Sequence, residues 1–299
     1  MQPVRFESEG VTSLEHQSCE TFETADCAAR AIMRTHMRAA ALWVFLLLGL
    51  PAALAQPSRP LFLEDLTWTE VRDATQSGKT TIIVPIGGTE QSGPHLALGK
   101  HNVRVKALAE KIAAALGNTL VAPVLAYVPE GPVSPPAGHM RFPGTITVPE
   151  DVFDKVLESA ARGFRLHGFK DIVFIGDHGG YQKSMKRVAE HLNREWAKTS
   201  VRAHAIEEYY TAAEVDFPQA LKQKGFKPEE IGSHAGLADT SLALAVDPTL
   251  VRSDRLQAWT KTDGVQGDPR RASAELGKVG VDLIVERTVD AIRKATARR

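Results

Sequence analysis

Beyond residue 60 the chain switches repeatedly between two rhythms of apolar residues. Residues 80–86 (TTIIVPI) form a β-branched run, and 119–122, 171–175 (DIVFI) and 201–206 are further short segments of strand length. Runs of that length read as buried strands. Between them, apolar residues recur at helical spacing. Val105, Leu108, Ile112 and Leu116 define a helix over 102–116 that Gly117-Asn118 ends. Val152, Val156, Leu157 and Ala160 continue a stripe that starts at Pro149. Residues 182–196, 238–245 and 275–295 are predicted helices by the same spacing. Strands alternating with amphipathic helices predict an α/β fold with a mostly parallel sheet. Residues 127–141 are rich in Pro and Gly and fit neither rhythm. A loop of that length is often functional.

The N-terminus follows a different logic. Met37-Arg38 precedes the unbroken apolar run AAALWVFLLLGL, and Ala53-Leu54-Ala55 follows. Basic, apolar and A-x-A segments in that order predict a signal peptide over 37–55 with cleavage after Ala55. The run is short for a membrane span of roughly 20 residues. The expected product is therefore exported, periplasmic or secreted, with no stable membrane anchor after cleavage. Residues 1–36 are polar and acidic, and read as an extension or as a start placed too early, with translation beginning at Met33 or Met37. Cys19 and Cys27 both lie there. A mature chain over 56–299 would lack cysteine, which excludes thiolate metal sites, a cysteine nucleophile and disulfides.

Composition then narrows the function. The chain is 43% hydrophobic and 24% charged, as a globular protein is, and its 36 basic residues equal its 36 acidic ones. Balanced charge gives no pull toward nucleic acid. No G-x-S-x-G elbow and no G-x-G-x-x-G after a strand occur, which disfavours a serine hydrolase and a dinucleotide enzyme.

Four polar clusters remain. Gly87-Gly88-Thr89-Glu90-Gln91-Ser92-Gly93-Pro94-His95, running on to Lys100-His101-Asn102, follows the first strand. Gly176-Asp177-His178-Gly179-Gly180 follows the third, and two more are Gly138-His139-Met140-Arg141-Phe142-Pro143-Gly144-Thr145 and Ser233-His234-Ala235-Gly236-Leu237-Ala238-Asp239-Thr240-Ser241. Glu90, His95 and His101 are types that ligate metals. His234 and Asp239 lie about a turn apart, as an acid–base residue and its partner can. In open parallel sheets, ligands bind beyond the carboxyl ends of the strands, so the first two clusters are expected to meet.

These clusters, in this order, resemble the creatininase family across residues 61–250. The family's G-x-x-E-Q-H-G-P-H-L-P is echoed from Gly87 to Ala97, its E-H-x-x-F-P-G-T by His139 to Thr145, its N-G-H-G-G-N by Gly176 to Tyr181, and its H-A-G-E-x-E-T-S by His234 to Ser241. The resemblance implies a single-domain, three-layer α/β sandwich and a metal-dependent amidohydrolase that cleaves a C–N bond in a small, possibly cyclic, amide. It also implies a homo-oligomer, possibly a hexamer. Family enzymes hold two metals. Here Ser92 replaces the first ligating His, His101 the bridging Asp, Gly180 the second Glu, and Leu237 a further Glu. Those changes imply one divalent ion, zinc first and manganese or iron next, on Glu90, His101 and His178. His234 and Asp239 become the catalytic pair. His95, Lys100, His139, Arg141 and Asp177 become the substrate contacts. The rival expectations are a binding protein that lost the chemistry and a metal-dependent lyase or lactonase.

Overall fold

The structure is a computed structural model that describes residues 60–297; the extension, both cysteines and the expected signal peptide lie outside the described residues. Four parallel strands form one sheet: β1 (Thr81–Ile86), β2 (Thr119–Val121), β3 (Asp171–Gly176) and β4 (Arg202–Ala205), in the order β2-β1-β3-β4. Strands β1 and β3 are buried along their whole length. Their side chains alternate between two separate cores, as the two-residue period of a strand requires. Ile83, Val173 and Ile175 enter one core, and Ile82, Val84, Ile172 and Phe174 the other.

Each core is closed by helices. Helices α1 (Trp68–Gln76), α3 (Glu150–Leu166) and α4 (Gln182–Glu195) cover one face through Ala74, Phe153, Leu157, Met185 and Leu192. On the other face lie α2 (Lys100–Leu116), α5 (Glu208–Thr211), α6 (Phe217–Gln223), α7 (Pro228–Ile231), α8 (Leu237–Val246) and α9 (Ala274–Thr296). The result is the expected three-layer sandwich. A π-helical turn, Ala212–Asp216, joins α5 to α6. The helices α1, α5, α6 and α7 were not anticipated, because each is short and its apolar stripe spans too few turns to show a period. No helix among the described residues is long and apolar enough to cross a membrane.

Candidate active site

Strands β1 and β3 pair in register from Thr81 with Asp171 to Ile86 with Gly176. The β1–β2 and β3–β4 connections leave this pair in opposite directions, which makes its carboxyl end the switch point of the sheet. The segments Gly87–Glu90 and Asp177–His178 therefore emerge side by side. Tyr181 ties them together: its hydroxyl donates to the carbonyl of Gly87 at 2.6 Å and accepts from the backbone N–H of His178 at 3.0 Å.

The first turns of α2 supply three basic side chains, Lys100, His101 and Arg104, each under 5% exposed. A helix N-terminus disfavours cations, so their burial there needs carboxylates. Glu90, Asp177 and Asp239 provide them. His101 lies between two of these, with Nε2 2.8 Å from Glu90 Oε1 and Nδ1 2.6 Å from Asp177 Oδ2. Arg104 donates from Nε to Asp177 at 2.8 Å and from Nη1 to Asp239 at 2.7 Å. Lys100 pairs with Asp239, and Tyr209 donates to Asp177 at 2.8 Å.

This network sets the protonation of the site. Burial opposes charge on Glu90, yet the hydrogen bond from His101 and the neighbouring cations hold its carboxyl well below the ordinary range. Burial and Lys100 press the His101 pKa down, but hydrogen bonds to Asp177 and Glu90 overcome them and raise it. His101 is thus an imidazolium donating to two carboxylates. His178 and His234 have no such pairing. Burial lowers both to about 4, so both are neutral at pH 7.

The two oxygens of Glu90 face different worlds. Oε1 meets His101 and, at 3.9 Å, Lys100. Oε2 is buried with no hydrogen-bond partner and has His139 Nε2 at 3.3 Å and His178 Nε2 at 3.5 Å. Donor atoms of Glu90, His139 and His178 all lie within 4.8 Å of one another. A cation drawn among them would satisfy the orphaned oxygen, and two imidazoles with one carboxylate form a donor set suited to zinc, manganese or iron. The residues present fit a divalent ion.

The expected triad is therefore only partly gathered. Glu90 and His178 belong to the ligand-competent group, and His139, expected at the substrate, joins them. His101 is close by, but both its ring nitrogens are committed to carboxylates, so it has no free lone pair. The expected His234–Asp239 pair does not form. Asp239 accepts from the N–H of Ala235 at 2.9 Å and is held by Lys100 and Arg104. The His234 ring turns instead to the loop after β1, with Nε2 2.9 Å from the Gln91 carbonyl and Nδ1 3.7 Å from Glu90 Oε1. Ala235, at φ 54°, makes the turn that separates them.

Among the expected substrate contacts, His95 is fully buried and lies 3.1 Å from the Thr240 hydroxyl, away from the cavity. Lys100 and Asp177 line the cavity but are consumed by the buried ion pairs. Arg141 is exposed and lines a neighbouring cavity of about 540 Å³. That cavity shares His139 and Gln266 with the smaller one, about 180 Å³, over Glu90 and His178. The sequence reading missed Gln91, whose Nε2 lies 2.9 Å from His139 Nδ1 and 3.2 Å from His234 Nε2. It also missed Arg104 and Glu130. Arg104 was findable, being one turn on from Lys100.

A parallel α/β sandwich with imidazoles and a buried carboxylate at its switch point is the frame of a metallohydrolase. The creatininase family, described as creatinine amidohydrolase, matches residues 64–292, and the chain belongs to it. The creatinine amidohydrolase of Pseudomonas putida is 26% identical over 262 residues, 79% of this chain and 98% of that protein. The mycofactocin precursor peptide peptidase of Mycobacterium tuberculosis is 26% identical over 235 residues, 68% of this chain and 80% of that protein. A solved zinc–zinc form of a creatininase variant superposes with a TM-score of 0.67 at 25% identity, covering 80% of this chain and 99% of the other.

Proposed function

We propose that this chain is an exported, single-metal hydrolase that cleaves a C–N bond in a small amide bearing an anionic group. The observation that carries the reading is the orphaned Glu90 Oε2, with His139 and His178 around it. Two relatives support the bond type, since one is named an amidohydrolase and the other a peptide peptidase. A divalent ion bound there supplies a Lewis acid for a substrate carbonyl and acidifies water. Zinc is the first candidate, with manganese and iron behind it.

The chain's own residues do the rest. Gln91 orients His139 and His234 together. His234, neutral at pH 7, faces the reaction space beside Glu90 and accepts the proton that the leaving nitrogen later needs. Lys100 and His101 neutralise the Glu90 oxygen that points away from the ion, which limits the site to one metal. Arg141 offers a guanidinium to a substrate carboxylate from the wider cavity. The basic, apolar and A-x-A order at 37–55 supports export, and family membership supports a homo-oligomer.

Metal analysis of the purified protein and release of amine from a panel of small acidic amides, with and without chelator, test the proposal. One metal per chain and chelator-sensitive amide hydrolysis are expected. Tight binding of an amide without turnover would favour a binding protein. Turnover only of esters or hydroxy acids would favour a lactonase or lyase.

A further inference from the structure

Three buried cations at the site, Lys100, His101 and Arg104, pair with Glu90, Asp177 and Asp239, and a fourth carboxylate stands beside them unpaired. The fourth is Glu130, from the Pro- and Gly-rich segment, with 7% of its surface exposed. Both of its oxygens are buried without a hydrogen-bond partner. A charged carboxylate there is costly, and burial with the neighbouring Glu90 pushes its pKa up to about 9. Its placement is nevertheless well determined. The Glu130 N–H donates to the Thr147 hydroxyl at 3.0 Å, and the side chain fills space left open by Gly88, where a Cβ would stand 2.6 Å from Oε1. The nearest basic nitrogen is Nδ1 of His178, 3.5 Å from Oε2. That is the ring nitrogen remote from Glu90, whereas Nε2 faces Glu90 Oε2.

We propose that Glu130 is the outer carboxylate of the metal centre, positioning His178 through Nδ1 and supplying the negative charge that Gly180 does not. The inference rests on the metal reading above. When Nε2 of an imidazole gives its lone pair to a cation, the proton must sit on Nδ1, and a carboxylate there fixes the tautomer and strengthens the ligand. Glu130 is the only carboxylate within ion-pair distance of His178 Nδ1 among the described residues. Without a cation, Nδ1 accepts the Gly180 N–H at 3.2 Å, and Glu130 is left without a donor. Binding would turn Nδ1 into a donor and give Glu130 its partner. The pair thus favours the loaded state.

The test is zinc affinity of the full chain, read by chelator competition on wild type, Glu130→Gln and Glu130→Leu, with melting of each metal-free protein alongside. Glu130→Gln should weaken zinc about 10-fold and Glu130→Leu nearer 100-fold, the range for outer-shell partners. Metal-free melting should be no lower in Glu130→Gln than in wild type, because burial beside Glu90 already pushes the Glu130 carboxyl up to about 9 and the amide keeps that neutral state. Affinities within twofold of wild type would overturn the role. So would a metal-free melting point that falls in both variants in step with affinity, since that marks a purely structural residue. Cobalt(II) absorption bands should keep their positions in Glu130→Gln; a change of coordination would mean direct ligation and overturn the positioning role. A wild type that binds no metal would remove the metal reading and this inference together, whereas a wild type that binds with unaffected variants removes only this one.

Discussion

At the scale of single residues, His101 and His178 look alike in sequence and differ in what surrounds them. His101 is wedged between Glu90 and Asp177 and is cationic; His178 faces partnerless oxygens of Glu90 and Glu130 and is neutral. Their alanine variants should separate. His178→Ala and His139→Ala should each abolish stoichiometric metal in elemental analysis while leaving the fold. His101→Ala should retain metal but lose about 3–5 kcal/mol of stability in denaturant titration, the usual cost of stranding buried charges. If His101→Ala lost metal without loss of stability, His101 would return as the ligand. His234→Ala should lower kcat by roughly 10²–10⁴-fold with metal content intact. A pH dependence follows from the same rings. The pKa values of His178 and His234, lowered by burial from the usual 6.5 to about 4, mean that the native state refuses protons the unfolded chain accepts. Metal-free protein should therefore keep its full histidine contribution above pH 6.5 and lose it as pH falls toward 4, by up to roughly 3 kcal/mol per ring. Urea midpoints at pH 7 and pH 5 check this, and a flat profile would sink it.

Among the elements, α8 and α9 show how close packing positions the site. Gly277 of α9 lies against the first turns of α8, where an added Cβ would come 1.8 Å from the Ser241 carbonyl oxygen. Gly277→Ala would gain about 1 kcal/mol of helix propensity. The clash is with backbone, which no rotamer relieves, so overpacking of roughly 1–3 kcal/mol or more should win. Thermal melting should fall by several degrees, and a rise would show that the helices separate freely. The sheet and the long helices were legible because apolar period and strand length report burial directly. The clusters at the ends of β1 and β3 were legible because the sheet rule places them together. The partners were not. That Asp239 would turn to Lys100 and Arg104 rather than to His234 depends on the left-handed turn at Ala235 and on which face of α2 is buried. Glu130 was hidden for a related reason: it sits in a segment with no period, and only the space left by Gly88 brings it to His178. Motif order revealed the neighbourhood of the chemistry, while ligand identity depended on side-chain geometry that spacing does not encode.

For the whole molecule, both cores, the switch point and every residue assigned a role lie within 60–297, and the family match spans 64–292. The basic, apolar and A-x-A order ending at Ala55 carries the proposal that the residues up to Ala55 serve targeting, a task that would end on export. Two outcomes follow. Protein recovered from fractionated cells should begin at Gln56 and be found outside the cytoplasm. A chain produced from Gln56 onward should match it in metal stoichiometry, turnover and melting temperature, because the four strands, both helix layers and the site all lie within the described residues 60–297. N-terminal sequencing and intact mass of the exported fraction decide the first; side-by-side metal analysis and melting decide the second. An N-terminus still at Met1 in a cytoplasmic fraction would end the export proposal and leave the metal site untouched. A Gln56 chain that melts well below the cell-derived protein would instead show that the leader contributes to the fold.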